Sequence, residues 1–281
     1  MNRRSFLGLG GGAVLGIGLY STEFERHHLE ITEHTVALPN LADSLLGMRL
    51  VQISDVHFNE FSEAYYIRHV VEKVNALKPD LVLLTGDFVS DSPRSHAYGR
   101  AQSYPCAAIL QGLQCPHRYA VMGNHDAEVG VSTVIDALVT HDIPVLENQY
   151  VPIERDGGRF WLAGAANVTS HMARLELAVP PKNIRGNDPV VLMAHEPDFL
   201  DHVAKYGGVD FMVSGHTHGG QVRLPFVGAM VLPTLGKKYV EGFFQRGSTR
   251  LYVNRGIGTV GAPVRFMCRP EITVFTLAAS T

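Results

Sequence analysis

Short apolar runs recur along this chain, each broken off by glycine, aspartate, asparagine or histidine. Leu29 to Leu38 alternates apolar and polar residues, which predicts a half-exposed strand. Met48 to Ile53 is a compact apolar run, the mark of a buried strand, and it ends in Ser54-Asp55-Val56-His57. Ile67, Val70, Val71, Val74 and Leu77 have helical spacing, so a helix is expected from Ser62 to Leu77, closed by Pro79. Asp80 to Thr85 reads as a second buried strand and ends in Gly86-Asp87.

The alternation continues. A helical stretch from Tyr98 to Leu113 precedes a strand from Tyr119 to Met122, which ends in Gly123-Asn124-His125-Asp126. Val131 to Thr140 suits a helix and Ile143 to Leu146 another strand. Val151 to Ile153 and Phe160 to Ala165 predict a hairpin across Asp156-Gly157-Gly158. Val190 to Ala194 predicts a strand ending at His195, and Pro197 to Tyr206 a helix. A last buried strand, Val209 to Val213, leads into Ser214-Gly215-His216-Thr217-His218. Beyond Gly220 the texture is short β segments: Gln221 to Leu224, Lys238 to Phe244, Leu251 to Asn254 and Ile272 to Leu277. Alternating strands and helices followed by strands predict a layered α/β domain with two sheets. No low-complexity linker interrupts Glu25 to Thr281, which reads as one domain.

The first 24 residues stand apart. Arg3 and Arg4 precede a glycine-rich apolar run to Tyr20, a pattern that resembles a twin-arginine export signal. The glycines argue against a packed helix, since each costs about 1 kcal/mol of helix propensity relative to alanine. The run is shorter than the roughly 20 residues that span a bilayer, and no good A-x-A cleavage site follows it. Residues 1–24 are therefore expected to be a signal or a membrane tether. The partner implied is the twin-arginine machinery, and the location implied is the periplasm or cell envelope.

Composition narrows the function. A net charge of −3 gives no reason to expect nucleic acid as a partner. Three cysteines make no disulfide framework: Cys106 and Cys115 could close a loop, or all could be free thiols packed as small hydrophobes. Fourteen histidines lean towards metal chemistry. His216 and His218, taken alone, fit a polar loop as well as a ligand pair; in an extended segment they would aim to one side.

Five strand ends together are more specific. They carry Asp55/His57, Asp87, Asn124/His125, His195 and His216/His218, all oxygen or imidazole donors. In open α/β sheets such ends form the crevice where ligands sit. Turn chemistry explains single aspartates and asparagines, but five donor-bearing ends point to a metal site.

These motifs resemble the calcineurin-like metallophosphoesterase family. Its D-x-H, G-D, G-N-H-[DE], H and G-H-x-H pattern is matched in order from Asp55 to His218. Gly215 to Pro225, Tyr252 to Thr259 and Pro263 to Ile272 resemble a small bacterial branch that often carries twin-arginine signals. The resemblance implies a four-layer α-β-β-α sandwich and two divalent ions, of Mn, Fe, Zn, Co or Ni. It implies Asp55, His57, Asp87 and His218 around one ion and Asp87, Asn124, His195 and His216 around the other, with Asp87 shared. It also implies in-line attack on phosphorus by a bridging hydroxide, with His125 serving the leaving oxygen. Protein phosphatases of the family place an aspartate three residues after that of the G-D motif; here the position is Ser90, which leaves Asp91 and Asp126 as candidate partners of His125.

The expected activity is that of a phosphodiesterase or pyrophosphatase, acting on a phosphoester such as the lipid-linked UDP-2,3-diacylglucosamine. Cell-wall or phospholipid phosphodiester cleavage is the alternative, and a non-catalytic scaffold of the same fold is a third. Among cationic groups, Arg223, Arg255 and Arg265 are candidates for phosphate, or for pairing with nearby carboxylates. Arg255, in a glycine-rich loop, is the expected substrate contact. His69, His96 and His171 lack the strand-end setting and read as surface or structural residues.

Overall fold

A computed structural model describes residues 15–59, 61–90 and 95–280. Arg3, Arg4 and Asp91 lie outside the described residues. The five-stranded sheet has the order β1 (Glu30–Leu38), β13 (Glu271–Ala279), β2 (Arg49–Ile53), β3 (Leu81–Leu84), β4 (Arg118–Ala120). The six-stranded sheet runs β11 (Gly242–Arg246), β12 (Thr249–Val253), β8 (Phe211–Ser214), β7 (Val190–Met193), β6 (Gly158–Gly164), β5 (Gln149–Arg155). β2, β3 and β4 are parallel, as are β6, β7, β8 and β12.

Period-two alternation explains why these strands are apolar throughout. On β3, Leu81 and Leu83 join one core, while Val82 and Leu84 join another. On β7, Val191 and Met193 face the same inner core, and Val190 and Leu192 face outward. The inner core, with Leu50, Phe160, Phe211 and Phe275, is therefore the layer between the two sheets. Outside the first sheet, Ile67, Val70 and Val74 of α1 (Ala64–Ala76) share a core with Val51 and Ile53. It also takes in Leu110 of α3 (Ser103–Leu110) and Val134 and Leu138 of α4 (Asn124–Thr140). Outside the second sheet, Leu200 and Val203 of a helix at Leu200–Tyr206 pack on Met212 and Val253. The result is the expected α-β-β-α sandwich. Each fully buried Leu or Phe contributes roughly 1.5–3 kcal/mol, and a one-residue slip in register would turn every side chain of a strand to the opposite core.

Several element expectations change for local reasons. The helix expected from Tyr98 to Leu113 is two helices, α2 (His96–Ala101) and α3. Pro105 cannot donate to the carbonyl of Ala101, so the chain breaks there. No strand forms at Ile143 to Leu146, only a bridge between Val145 and Ala120, because Pro144 removes a donor. The strand expected from Lys238 begins at Gly242, since the backbone N–H groups of Lys238 and Tyr239 donate to the Asp198 carboxylate. Between Gln221 and Leu224 only β9 (Arg223–Leu224) forms, paired with β10 (Gly228–Ala229). All three cysteines are free and buried. From Leu15 the chain is helical with Leu15, Ile17 and Leu19 exposed, and the glycine-rich run before it lies outside the described residues.

Candidate metal centre

Strand register brings the donor-bearing ends to one edge. Ile53 is level with Leu84 and Leu84 with Ala120, so the residues that follow each strand emerge side by side. Met193 is level with Val213 in the second sheet. The sheets are joined there by Gln52, whose Nε2 donates to Thr85 Oγ1 at 3.0 Å and to the Ser214 carbonyl at 2.9 Å. The Asp55 carboxylate accepts the His216 N–H at 3.0 Å, a second link between the sheets.

Beyond the strands the backbone turns left-handed. Asp55, His57, Asp87, His216 and His218 all have φ between 45° and 73°. Each such residue costs about 1 kcal/mol or more relative to right-handed backbone, and such strain concentrates at functional sites. It also corrects one expectation. His216 and His218 are not in extended backbone, and they join different groups of side chains. His218 lies with Asp55 and His57, while His216 lies with Asp87 and His195.

The donor atoms are close. His218 Nε2 is 3.3 Å from Asp55 Oδ1 and 3.0 Å from His57 Nε2. Asp87 Oδ2 lies between the two groups, 3.6 Å from His57 Nε2 and 3.0 Å from His195 Nε2. Close packing leaves no slack around it: a Cβ on Gly123 would stand 2.0 Å from Asp87 Oδ1, and one on Gly215 would stand 2.2 Å from Asp55 Oδ2.

Outer hydrogen bonds set which nitrogen of each ring faces inward. His195 Nδ1 is 2.7 Å from the Thr85 carbonyl, so Nδ1 carries the hydrogen and Nε2 presents a lone pair to Asp87. His216 Nε2 is 2.7 Å from the Thr234 carbonyl, which frees Nδ1. A lone pair facing a carboxylate at 3.0 Å needs a proton or a cation between them. Asn124 Oδ1, buried and without a hydrogen bond, is a further open acceptor. These donors fit divalent cations.

The electrostatics agree. Burial opposes charge on Asp87, yet the His195, His125 and His57 imidazoles hold its carboxyl well below the usual range. Burial likewise opposes charge on His195, but Asp87 holds it well above an ordinary histidine. That proton occupies the place a cation would take. Burial pulls His57 down to about 3, and burial with the His57 and Arg265 charges pulls His218 well below the usual histidine value. Neutral imidazoles are what metals bind.

His125 lines a cavity of ≈ 350 Å³ together with Asp87, Asn124, His216 and His218. Its Nδ1 is 3.4 Å from Glu128 Oε2, one turn along α4. Asp126 is therefore corrected as a partner for it. The Asp126 carboxylate instead accepts backbone N–H groups from Asp87, Phe88 and Gly123 at 2.8–2.9 Å, beneath the Asp87 loop. Ser90 is buried.

The arginines are engaged elsewhere. Arg255 does not line the cavity; its guanidinium is held by Glu30 at 3.0 Å and Glu271 at 3.2 Å. Arg223 pairs with Glu241 at 2.7 Å. Arg265 is wholly buried, donates to the carbonyls of Arg255, Gly256, Gly258 and Cys268, and reaches within 3.4 Å of His218 Nδ1. Sequence reasoning missed the orienting carbonyls of Thr85 and Thr234, which carry no side-chain signal. It also missed the apolar walls formed by Val222, Met230, Val231, Val260 and Val264.

Comparison with known proteins adds four findings. Residues 48–220, more than half of the chain, match the calcineurin-like phosphoesterase family model. The uncharacterized metallophosphoesterase YkuE of Bacillus subtilis (strain 168) is 34% identical over 290 residues, covering 100% of this chain and 99% of its own. Phosphodiesterase YaeI of Escherichia coli (strain K12) is 30% identical over 285 residues, covering 99% of both. More distantly, UDP-2,3-diacylglucosamine pyrophosphatase LpxG of Chlamydia muridarum (strain MoPn / Nigg) is 24% identical over 310 residues, covering 91% of both.

Proposed function

The chain belongs to the calcineurin-like phosphoesterase family, a metal-dependent phosphoester hydrolase by that membership, and from this premise we propose a two-metal phosphodiesterase or pyrophosphatase. The observation that carries the reading is the place of Asp87 Oδ2 between His57 Nε2 and His195 Nε2, at 3.6 and 3.0 Å. One carboxylate so placed can serve two ions. Asp55, His57, Asp87 and His218 would hold one, and Asp87, Asn124, His195 and His216 the other.

Two divalent ions held there would supply charge neutralisation at the phosphoryl group and would acidify water. The rest falls to the chain's own side chains. Glu128, with Oε2 3.4 Å from Nδ1 of His125, orients the imidazole as the group that would protonate the departing oxygen. The neutral histidines keep the centre cationic, which suits an anionic ester.

For the substrate, a lipid-linked pyrophosphate such as UDP-2,3-diacylglucosamine is supported by likeness to LpxG and by apolar walls beside the donor cluster. Cell-wall or phospholipid diester cleavage is the second reading, supported by likeness to a named phosphodiesterase. The arginine pair and apolar run support residues 1–24 as a twin-arginine signal or tether, residues 25–281 as the catalytic domain, and a place in the cell envelope. The test is turnover of bis-p-nitrophenyl phosphate with Mn²⁺, abolished by chelation and restored by metal. Folded protein that stays inactive with every divalent metal tried would sink the two-metal reading. A lipid pyrophosphate left intact by enzyme active on the simple diester would sink the substrate alone.

A further inference from the structure

One side of the molecule carries apolar groups that folding does not use. The β9–β10 hairpin ends in Phe226, fully exposed in left-handed backbone at φ 65°, with Val227 69% and Val231 78% exposed. From Leu224 to Gly236 there is no charged residue, while Arg223 stands before this stretch and Lys237 and Lys238 after it. The base of the same hairpin, through Val222, Met230 and Val231, walls the cavity whose floor is the donor cluster.

A second apolar element adjoins the first. Val222 bridges to Phe266, and Arg223 N donates to the Phe266 carbonyl at 2.9 Å. Next to Phe266, Arg265 N donates to the Ser21 carbonyl at 3.0 Å, which fixes the N-terminal segment beside the hairpin. That segment exposes Leu15, Ile17, Leu19 and Phe24, and Met267 is exposed between the two elements. In the sequence it continues an uncharged run from Phe6 to Tyr20, preceded by Arg3 and Arg4.

We infer that the β9–β10 hairpin docks on an anionic lipid bilayer, presenting the donor-lined cavity to phosphoesters held there. Two adjoining stretches each hold an uncharged apolar run, with Arg3 and Arg4 before the first and Arg223, Lys237 and Lys238 around the second, a pattern that suits a lipid interface. Exposed apolar groups rimmed by polar residues mark an interaction site; of the flanking cations, Arg223 pairs with Glu241 and Lys238 with Asp201, which leaves the Lys237 side chain to meet anionic headgroups. Among the described residues no helix is long and apolar enough to cross a membrane. What the cavity then cleaves rests on the phosphohydrolase reading; the docking does not.

The experiment uses the full chain, metal-loaded, with vesicles of phosphatidylcholine and phosphatidylglycerol. The unaltered protein sediments with the vesicles. Phe226→Asp combined with Val227→Asp, at positions outside the cavity, lowers that partition about tenfold or more, while turnover of soluble bis-p-nitrophenyl phosphate is unchanged. Phe226→Trp gives an emission that shifts to the blue on vesicle addition, against a buried Trp161. Partition unchanged in the double variant, no spectral shift, or a stable dimer split by the variant with vesicle binding intact would each overturn the docking. Vesicle binding without diester turnover would instead count against the phosphohydrolase reading and leave the docking standing.

Discussion

The Asp126 carboxylate accepts the backbone N–H of Asp87 at 2.8 Å, so an acid one position from His125 holds the Asp87 loop from below. Its other oxygen accepts from Phe88, and Gly123 donates to the first. Asp126→Asn would turn an amide NH₂ towards a backbone N–H. The expected cost is about 3 kcal/mol in denaturant unfolding of the metal-free protein, because charged hydrogen bonds are lost and a buried donor is stranded. Metal content should fall with it. Stability and metal content equal to the parent's would show that the carboxylate is not what holds the loop.

His216→Ala and His218→Ala should each deplete a different ion, because the two rings belong to different groups of donors. Metal titration with two distinguishable divalent ions, or anomalous scattering at each position, reads this. Loss of one and the same ion in both variants would refute the division of ligands.

His125→Ala should keep both ions and lower turnover at least about tenfold, the usual scale for loss of a positioned acid. An alkyl leaving group, which needs a proton more than p-nitrophenolate does, should suffer the larger loss. Glu128→Gln should lower turnover while leaving metal content alone, since its carboxylate stands 3.4 Å from His125 Nδ1 and positions the ring. Loss of metal in His125→Ala would make it a ligand instead.

Away from the centre, Glu271 joins Arg255 to Thr32 and Tyr252. Burial pushes its pKa up, but the Arg255 charge and these hydrogen bonds hold it below the usual glutamate value of 4.5. Its folded value being the lower, the stabilisation is complete above the unfolded pKa and is lost as pH falls through the folded one. Glu271→Gln should cost about 3 kcal/mol at neutral pH, as breaking a buried pair does. The difference from the parent should shrink on acidification, starting once pH falls below the unfolded glutamate value of 4.5. Urea midpoints at several pH values measure it, and a difference independent of pH would exclude the ionic origin.

Gly123→Ala places a Cβ 2.0 Å from Asp87 Oδ1, too close for any contact. Metal content and turnover should both collapse, with the unfolding midpoint lowered. A variant that binds both ions normally would mean the loop has room that the packing denies it.

By itself the sequence determined the layered class, most of the strand succession and the donor types carried at the strand ends, because apolar runs and donor types are local properties of the chain. Pro105 and Pro144 were legible too, yet their effect on one helix and one strand depended on which partner bonds they removed. Only the tertiary structure decided the rest. Left-handed backbone at His216 and His218 overrode the same-side geometry an extended segment would impose, and the two rings were separated. The Thr85 and Thr234 carbonyls chose the inward-facing nitrogens, although every residue carries such a group and none announces it. Arg255 went to Glu30 and Glu271, and Asp126 to backbone N–H groups, because charge finds whichever partner folding brings near, at sequence separations that no local pattern encodes.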